Sequence, residues 1–255
     1  MSLLDNVRMI NDVYFLSDVD NTFEKLYVEV RKRENRIYSD HEVSQLPSVP
    51  PYNLHYKEWV LRKITSDRFI RYLKQKRNGL ILLDVGCGNG WFTSLIAKSN
   101  TSEVYGIDVN KLEIEQAARV FNLQNLHFVY GNLFDDIFPK KSFDMITLNA
   151  SAQYFKDLNY LLNKLLSLMT DDGEIHILDT PFYRSEELAS ARERTAAYYK
   201  SLGHLEMAKY YFHHSYEEIE KFNYSILFNP RALKVKLKKF LNVKDSPFPW
   251  IKILK

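Results

Sequence analysis

The strongest structural signal in this chain is Leu80-Ile-Leu-Leu-Asp-Val-Gly-Cys-Gly-Asn-Gly-Trp-Phe-Thr-Ser-Leu-Ile-Ala97. Four apolar residues lead to Asp84, glycines follow at Gly86, Gly88 and Gly90, and apolar residues then recur at helical spacing. A short apolar run bounded by glycines is typical of a buried strand, and the spacing after it is typical of a helix. Because such a unit lets backbone approach a ligand at the helix N-terminus, the stretch predicts a ligand-binding loop.

Two common phosphate-binding patterns do not fit this loop. The dinucleotide fingerprint Gly-x-Gly-x-x-Gly needs its third glycine for close packing of helix on strand. That position holds Trp91, and the extra glycine comes one place early, at Gly90. The pattern Gly-x-x-x-x-Gly-Lys-Ser/Thr fails because no lysine follows at the required distance. What remains is Asp-x-Gly-x-Gly-x-Gly, from Asp84 to Gly90.

This remaining pattern resembles the loop of the class I S-adenosylmethionine (SAM)-dependent methyltransferases. In that family the loop backbone lies against the methionine part of the cofactor, and the first acid orders the loop and helps to bind the cofactor's amino group. The resemblance assigns these roles to Asp84, Gly86, Cys87 and Gly88. Taken alone, the loop could also be a glycine turn in an ordinary α/β protein.

A second short apolar run, Val104-Tyr-Gly-Ile-Asp108, ends in an acid 24 positions after Asp84. An acid at the end of the second strand can accept hydrogen bonds from both hydroxyls of a ribose. The alternative is a solvated aspartate at a strand end. In a methyltransferase the next residue, Val109, would lie against the adenine.

Strand ends further along the chain supply the other expected walls of a SAM site. The third strand is followed by Asn132 and Leu133, where the family usually has Asp in place of Asn132 to bond the adenine amino group. An asparagine oxygen can accept the same hydrogen bond without the charge, although Asn132 also suits a turn. The fourth strand ends at Asn149, which completes the expected set.

Five strands alternating with helices predict an α/β fold with a doubly wound, mostly parallel sheet. The resemblance covers about 80–179 and implies a seven-stranded Rossmann-like sheet whose last strand is antiparallel. The sequence offers 224–228 and 250–254 as the sixth and seventh strands, joined by a lysine-rich helix.

We expect residues 1–65 to form an N-terminal helical extension and residues 66–255 to form the SAM-binding domain. A helical insertion, residues 181–222, follows the fifth strand and is dense in aromatic residues. A segment beyond the carboxyl ends of the strands can cover the ligand crevice. Packing of the insertion on the domain explains most of these rings equally well.

The sequence does not identify a catalytic base. Methyl transfer is an in-line displacement, for which holding the acceptor and excluding water matter most. An oxygen or carbon acceptor usually needs a base, whereas an amine need only be neutral. Five candidates each also have a structural explanation, so the catalytic residue is left unassigned: His55, Tyr56, Tyr154, His204 and His213.

Composition bounds the remaining possibilities. The chain is 45% hydrophobic and 26% charged, which is typical of a globular protein. Its one cysteine, Cys87, excludes an internal disulfide and a cysteine-based zinc cluster, and it suits a crowded turn better than a nucleophile's place. Adjacent His213 and His214 point about 100° apart on a helix, so no metal site is predicted. No run reaches the ~18 apolar residues of a membrane span and no signal peptide is visible, so a cytoplasmic location is expected.

The last 25 residues are strongly basic, with eight Lys or Arg and one acid between Arg231 and Lys255. Apolar residues in this segment recur at helical spacing, at Leu233, Leu237, Phe240 and Leu241. The lysines are therefore expected to form the solvated face of a packed helix. Contact with nucleic acid or a membrane surface is the alternative.

The first functional hypothesis is a SAM-dependent methyltransferase acting on a small-molecule acceptor. The fourth strand continues Asn149-Ala-Ser-Ala and lacks the Asn/Asp-Pro-Pro-Tyr motif of many enzymes that methylate exocyclic or amide nitrogen. No separate nucleic-acid-binding module is visible either. The alternatives are an RNA or protein methyltransferase that uses the basic C-terminal residues, Arg231 to Lys255, and a SAM-binding protein without turnover. The sequence predicts neither the acceptor nor the oligomeric state.

Overall fold

The computed structural model describes residues 3–4, 7–16, 22–99, 102–241 and 243–255, with the backbone alone for 237–239. The strands in these ranges are β1 (Arg8–Ile10), β2 (Val13–Phe15), β3 (Ile81–Val85), β4 (Glu103–Asp108), β5 (Leu126–Tyr130), β6 (Phe143–Asn149), β7 (Met169–Leu178), β8 (Phe182–Tyr183), β9 (His214–Ser215), β10 (Asn223–Phe228) and β11 (Trp250–Leu254). The α-helices are α1 (Thr22–Arg33), α2 (Asp40–Gln45), α3 (Tyr56–Leu73), α4 (Trp91–Ser99), α5 (Lys111–Val120), α6 (Leu158–Leu168), α7 (Leu188–Ser201) and α8 (Leu233–Phe240).

The central sheet has the strand order β1-β2-β5-β4-β3-β6-β7-β11-β10. The strands from β2 to β7 in this order run parallel, β11 is antiparallel to β7, and β10 is antiparallel to β11. The predicted α/β class and the antiparallel last strand are therefore confirmed. The strand order reverses at β3, and a crevice at the carboxyl ends of strands forms at such a point in open α/β sheets.

The expected count of seven strands is wrong, because an N-terminal hairpin adds two. Strand β2 pairs in parallel with β5, and Val13, opposite Phe128, is completely buried. An unpaired β5 would leave a row of open backbone groups at the sheet edge, which the hairpin covers. Strands of three residues are too short to show a hydrophobic period, so they could not be predicted from the sequence.

Helices cover both faces of the sheet. Helices α3, α4 and α5 pack on one face through residues such as Phe69, Phe92 and Ile114. Helix α6 packs on the other face through its leucines, of which Leu161 and Leu165 are fully buried. Helix α3 runs across the expected boundary between residues 65 and 66, and that division of the chain stays a prediction.

The insertion packs against the N-terminal helix as well as against the sheet. It contains α7, short 3-10 helices and the two-stranded parallel sheet of β8 and β9. Tyr199 of α7 and Met207 are buried together with Val30 of α1. The two segments that sequence patterns set apart from the core therefore meet each other at the carboxyl edge of the sheet.

The lysine-rich helix α8 lies between β10 and β11, as expected, but its apolar residues do not pack as expected. Leu233, Phe240 and Leu241 are 74%, 86% and 71% exposed, whereas Val235 is only 5% exposed. Val235 lies about 160° around the helix from Leu233, so the helix presents the opposite side to the domain. Of the residues whose placement is described, none belongs to a helix long and apolar enough to cross a membrane.

Gly90 allows the close packing that the third glycine of a dinucleotide loop would supply. Its φ is +74°, and a Cβ here would lie 2.7 Å from ring atoms of Phe128 and 2.8 Å from Cβ of Ala117. Trp91, the next residue, fills the space between α4 and α3 and meets Trp59 edge-on at 5.3 Å. Gly90 therefore allows the helix to pack closely on the sheet, as the third glycine does in the dinucleotide pattern, although it lies one residue earlier.

We expect Gly90→Ala to lower the free energy of unfolding by roughly 2–4 kcal/mol, since it combines a left-handed backbone with a collision in the core. Gly79→Ala is the matched control: its φ is +71°, but no atom lies within 4 Å of the new Cβ. The control should lose only about 1 kcal/mol. Urea unfolding measures both, and equal losses would contradict the packing role of Gly90.

Candidate active site

Two adjoining cavities open at the carboxyl ends of β3, β4, β5 and β6. The outer cavity, of about 380 Å³, lies against the ends of β4 and β5. The inner cavity, of about 100 Å³, lies against the glycine loop and the end of β6. Five residues line both cavities and so form the boundary between them: Tyr27, Gly86, Gly88, Glu113 and Ala150.

The structure brings all nine predicted site residues to these walls. The outer cavity is lined by Asp108, Val109, Asn132 and Leu133, and the inner cavity by Asp84, Cys87 and Asn149. Gly86 and Gly88 line both. Their gathering follows from the parallel sheet, whose carboxyl ends meet at one edge. That each of them binds a cofactor stays a prediction.

Asp84 holds the glycine loop to two neighbouring elements. Its carboxyl accepts hydrogen bonds from the hydroxyls of Thr93 in α4 and Thr147 in β6, both at 2.7 Å. The residue is only 2% exposed, and burial raises its pKa to about 6 against the opposing effect of these two hydrogen bonds. The side chain therefore fixes the angle at which the chain leaves β3 for α4.

Asp108 is oriented by backbone N–H groups. The N–H of Gly88 donates to its Oδ2 at 2.7 Å, and the N–H of Asn110 donates to its Oδ1 at 2.8 Å. Burial raises its pKa, and the backbone hydrogen bonds counteract that rise. A carboxylate has about four acceptor positions, and the backbone N–H groups of Gly88, Asn110 and Val109 bond this one, so acceptor capacity remains for a hydroxyl group in the outer cavity.

Asn132 stabilises a turn, as the alternative interpretation of this residue predicted. Its Oδ1 accepts the N–H of Phe134 at 3.1 Å, and its side chain is exposed at the rim of the outer cavity. The neighbouring Leu133 is buried, and Val109 is half-buried on the same cavity. The two apolar side chains can flank a flat ring, while Asn132 keeps its amide N–H groups and one oxygen lone pair for a ligand.

Cys87 is a buried packing residue. Its Sγ lies where a Cβ on Gly106 of β4 would come within 2.9 Å, so the missing side chain of Gly106 makes room for the thiol. Burial, with the nearby Asp108 and Asp84, raises the pKa of the thiol well above its ordinary value. Because the thiolate is the reactive form, this position does not support a nucleophile.

Asn149 presents a buried polar atom with no partner among the described residues. This atom, Oδ1, is an acceptor, and Asn149 is one of the residues that line the inner cavity. Gly86 lines the same cavity, and it must be glycine because a Cβ would lie 2.5 Å from Cβ of Ser151, so only its backbone faces the cavity. A buried acceptor beside a bare backbone loop fits a bound group that carries N–H donors.

Three arginines beside the inner cavity were not predicted as site residues. Arg36 and Arg62 both bond Glu58, and although burial raises the pKa of that carboxyl, its hydrogen bonds to the arginines lower it to about 2. Arg31 donates to Glu34 at 3.0 Å and to the hydroxyl of Tyr27 at 2.6 Å. In the sequence these residues look like a charged turn and a helix surface. Only tertiary folding brings them to one cavity.

Glu113 was not predicted either, although it lies in the boundary between the two cavities. The described residues supply no hydrogen bond to its half-buried carboxyl, which points at the loop near Gly88. Burial and the charge of Asp108 raise its pKa to about 7, and Arg31 counteracts the rise. Its place in the first turn of α5, after the capping Asn110, gave the only sequence signal.

Aromatic rings from three distant segments close the outer cavity. Phe23 of α1 lies 5.7 Å from Tyr27, 5.8 Å from Tyr154 and 5.6 Å from Tyr210 of the insertion. All four rings line the cavity opposite the strand ends. The N-terminal extension and the insertion thus jointly form one apolar wall.

Of the five candidate bases, only Tyr154 lies on either cavity. His213 faces a separate cavity of about 800 Å³ within the insertion and bonds Thr195 at 2.8 Å. The ring of His55 bonds the backbone oxygen of Glu34, and His204 lies 3.5 Å from Glu206. Tyr56 lies outside both walls, beside Lys244. Within the described ranges, no group of three or more His, Cys, Asp or Glu side chains is placed to hold a metal ion.

Comparison with known proteins agrees with this geometry. A family model described as a methyltransferase domain matches residues 76–239. A malonyl-[acyl-carrier protein] O-methyltransferase of Acetivibrio thermocellus is 33% identical over 98 residues, which are 38% of this chain and 34% of the relative. A demethylmenaquinone methyltransferase of Geobacillus sp. is 28% identical over 64% of this chain and 62% of its own length. Both matches thus span less than two thirds of the relative.

A solved structure shares the fold over most of the chain. The geranyl diphosphate C-methyltransferase of Streptomyces coelicolor, in complex with S-adenosyl-L-homocysteine, superposes with a TM-score of 0.52 at 15% identity, covering 91% of this chain and 97% of the other. The family model covers well over half of the protein, from before β3 into α8. The chain belongs to the class I methyltransferase family, whose cofactor is SAM.

Proposed function

We propose that the protein transfers the methyl group of SAM to a small-molecule acceptor bound under the aromatic wall of the outer cavity. The observation that carries the proposal is the pairing of two different walls in one cavity. Strand-end residues suited to a nucleoside line one side, and Phe23, Tyr27, Tyr154 and Tyr210 line the other. A cavity of about 380 Å³ has the size of a small-molecule site.

The inner cavity fits the methionine end of SAM. Asn149 Oδ1 would accept from the cofactor's amino group, with Asp84 behind it holding the loop in place. The guanidinium groups of Arg31 and Arg62 lie on the same cavity and would attract the cofactor's carboxylate. An acceptor oxygen and cationic donors in one small space suit a group that carries both an amine and an acid.

The outer cavity fits the adenosine end. Asp108 would accept from the ribose hydroxyls, Val109 and Leu133 would flank the adenine, and Asn132 would bond its amino group. When bound, SAM supplies an electrophilic methyl group on a sulfonium. The protein's part is to orient the acceptor in line with that bond and to keep water away.

The aromatic wall favours an acceptor with an apolar or aromatic body. Burial raises the pKa of Tyr27 and of Tyr154 further above neutral, so both phenols stay protonated and can donate hydrogen bonds to a ligand. A deprotonated tyrosine base is therefore not part of the proposal. The demethylmenaquinone methyltransferase among the relatives is named for an acceptor that is itself a small molecule, which supports this class of substrate.

The proposal is tested with methyl-labelled SAM and fractionated cell extract. We expect label in the small-molecule fraction, and we expect Tyr210→Ala to reduce its incorporation at least about tenfold while SAM affinity stays within about twofold. Tyr52→Ala, at a position 88% exposed and away from the cavities, is the control and should transfer normally. Label in the RNA or protein fraction, or none in any fraction, would contradict the proposal.

Glu113 should make SAM binding depend on pH. Its ionised form places a negative charge beside the cavity of a cationic cofactor, so wild-type affinity should rise as pH increases through about 7. The rise should reach at most about tenfold, one unit of pKa shift. Calorimetric titration from acidic to mildly basic pH measures it.

The ionisation of SAM itself also changes with pH, but it affects every protein variant equally. Two variants therefore separate the contribution of Glu113 from it. Glu113→Gln should lack the rise, whereas Glu115→Gln, two residues further along α5 and outside both cavities, should keep it. The same pH profile in wild type and Glu113→Gln would show that this carboxyl does not act on the cofactor.

A further inference from the structure

We propose that α8 and the residues after it, 233–244, bind the surface of an anionic lipid bilayer. We call these residues the basic segment. The proposal concerns where the protein works and does not depend on the acceptor it methylates. It rests on the exposure, the charge and the position of the segment.

The exposed apolar side chains of the basic segment point away from the domain. Leu233, Phe240 and Leu241 are each more than 70% exposed, and Val243 after them is 49% exposed. Positions 233, 240 and 241 lie within about 100° of one another on a helix, so they form one ridge. Large apolar residues gathered on one exposed face mark an interaction site.

Positive charges stand on both sides of this ridge. Lys234 and Lys236 are exposed and lie about 100° and 60° to either side of Leu233. Neither forms an ion pair with a described residue. The acid that follows the segment in the chain, Asp245, is paired with Arg68 at 2.7 Å, and Glu187, near its start, is paired with Arg231 at 2.7 Å. An outward apolar ridge between unpaired lysines is the pattern of a helix that lies in a lipid interface.

The position of the segment agrees with a role at a membrane. Strand β10 runs parallel to β7, so its end, and the helix that follows, belong to the carboxyl edge of the sheet. The two cavities open at that same edge. A bilayer under the basic segment would therefore face the side of the molecule where ligands enter.

Other occupants explain less of the surface. Nucleic acid would be held by the lysines through its phosphates, which leaves Leu233 and Phe240 in water. A second copy of the chain could cover the apolar ridge, but it would bring two lysine-rich segments together. Only an anionic surface with an apolar interior accounts for both features.

Vesicle sedimentation with the full chain tests the proposal, using phosphatidylcholine vesicles with and without phosphatidylglycerol. We expect binding to the anionic vesicles to be at least roughly tenfold tighter and to weaken with salt. The double variant Leu233→Ser/Phe240→Ser should lose roughly tenfold or more. Lys234→Gln/Lys236→Gln should lose about fivefold per lysine.

Tyr52→Ser/Leu54→Ser is the matched control, since these side chains are 88% and 78% exposed elsewhere on the surface. It should bind vesicles as the wild type does, and every variant should keep its SAM affinity. Equal binding to both kinds of vesicle, or to neither, would overturn the proposal. So would a dimer that the Leu233→Ser/Phe240→Ser change abolishes, or an RNA oligonucleotide that only the lysine change releases.

Discussion

The site depends on the buried carboxyl of Asp84 and on the two threonine hydroxyls that donate to it. Thr93 belongs to the helix that leaves the glycine loop, and Thr147 belongs to the strand on the other side of β3. These bonds fix the loop between two elements without using any atom of its backbone. The N–H groups of Gly86 and Cys87 donate to the backbone oxygen of Ile107 in β4, whereas the N–H of Gly88 donates to Asp108 and orients its carboxyl. The shape of both cavities follows from this arrangement.

The sequence predicted the half of the site that is local to strand ends. Asp84, Asp108 and Asn149 each follow a short apolar run, and parallel strands carry their ends to one edge. Their meeting therefore needs only the order of elements. The hairpin of β1 and β2 was not predicted, because a strand of three residues is too short to show a hydrophobic period.

The other half of the site could not be predicted because it depends on tertiary contacts. Phe23, Tyr154 and Tyr210 are far apart in the chain, and each ring has an ordinary local context. In the sequence, Arg36, Glu58 and Arg62 look like exposed charges. In the structure, both arginines donate to Glu58 and all three residues lie beside the inner cavity. For α8 the helical period correctly predicted a helix. The period did not predict that Val235 faces the domain while Leu233, Phe240 and Leu241 face away from it.

The charges around Glu113 suggest why this carboxyl is only partly ionised at neutral pH. A fixed negative charge beside a sulfonium would stabilise the cofactor more than a transition state in which that positive charge disperses, and such binding slows the chemical step. Burial and the charge of Asp108 raise the pKa of Glu113 to about 7 and Arg31 opposes the rise, so near neutral pH the attraction of this carboxyl to a bound sulfonium would be weak. After transfer the product would be a neutral thioether, to which this carboxyl would have no attraction between opposite charges. The same balance of charges would therefore favour uptake of the methyl donor and release of the spent cofactor.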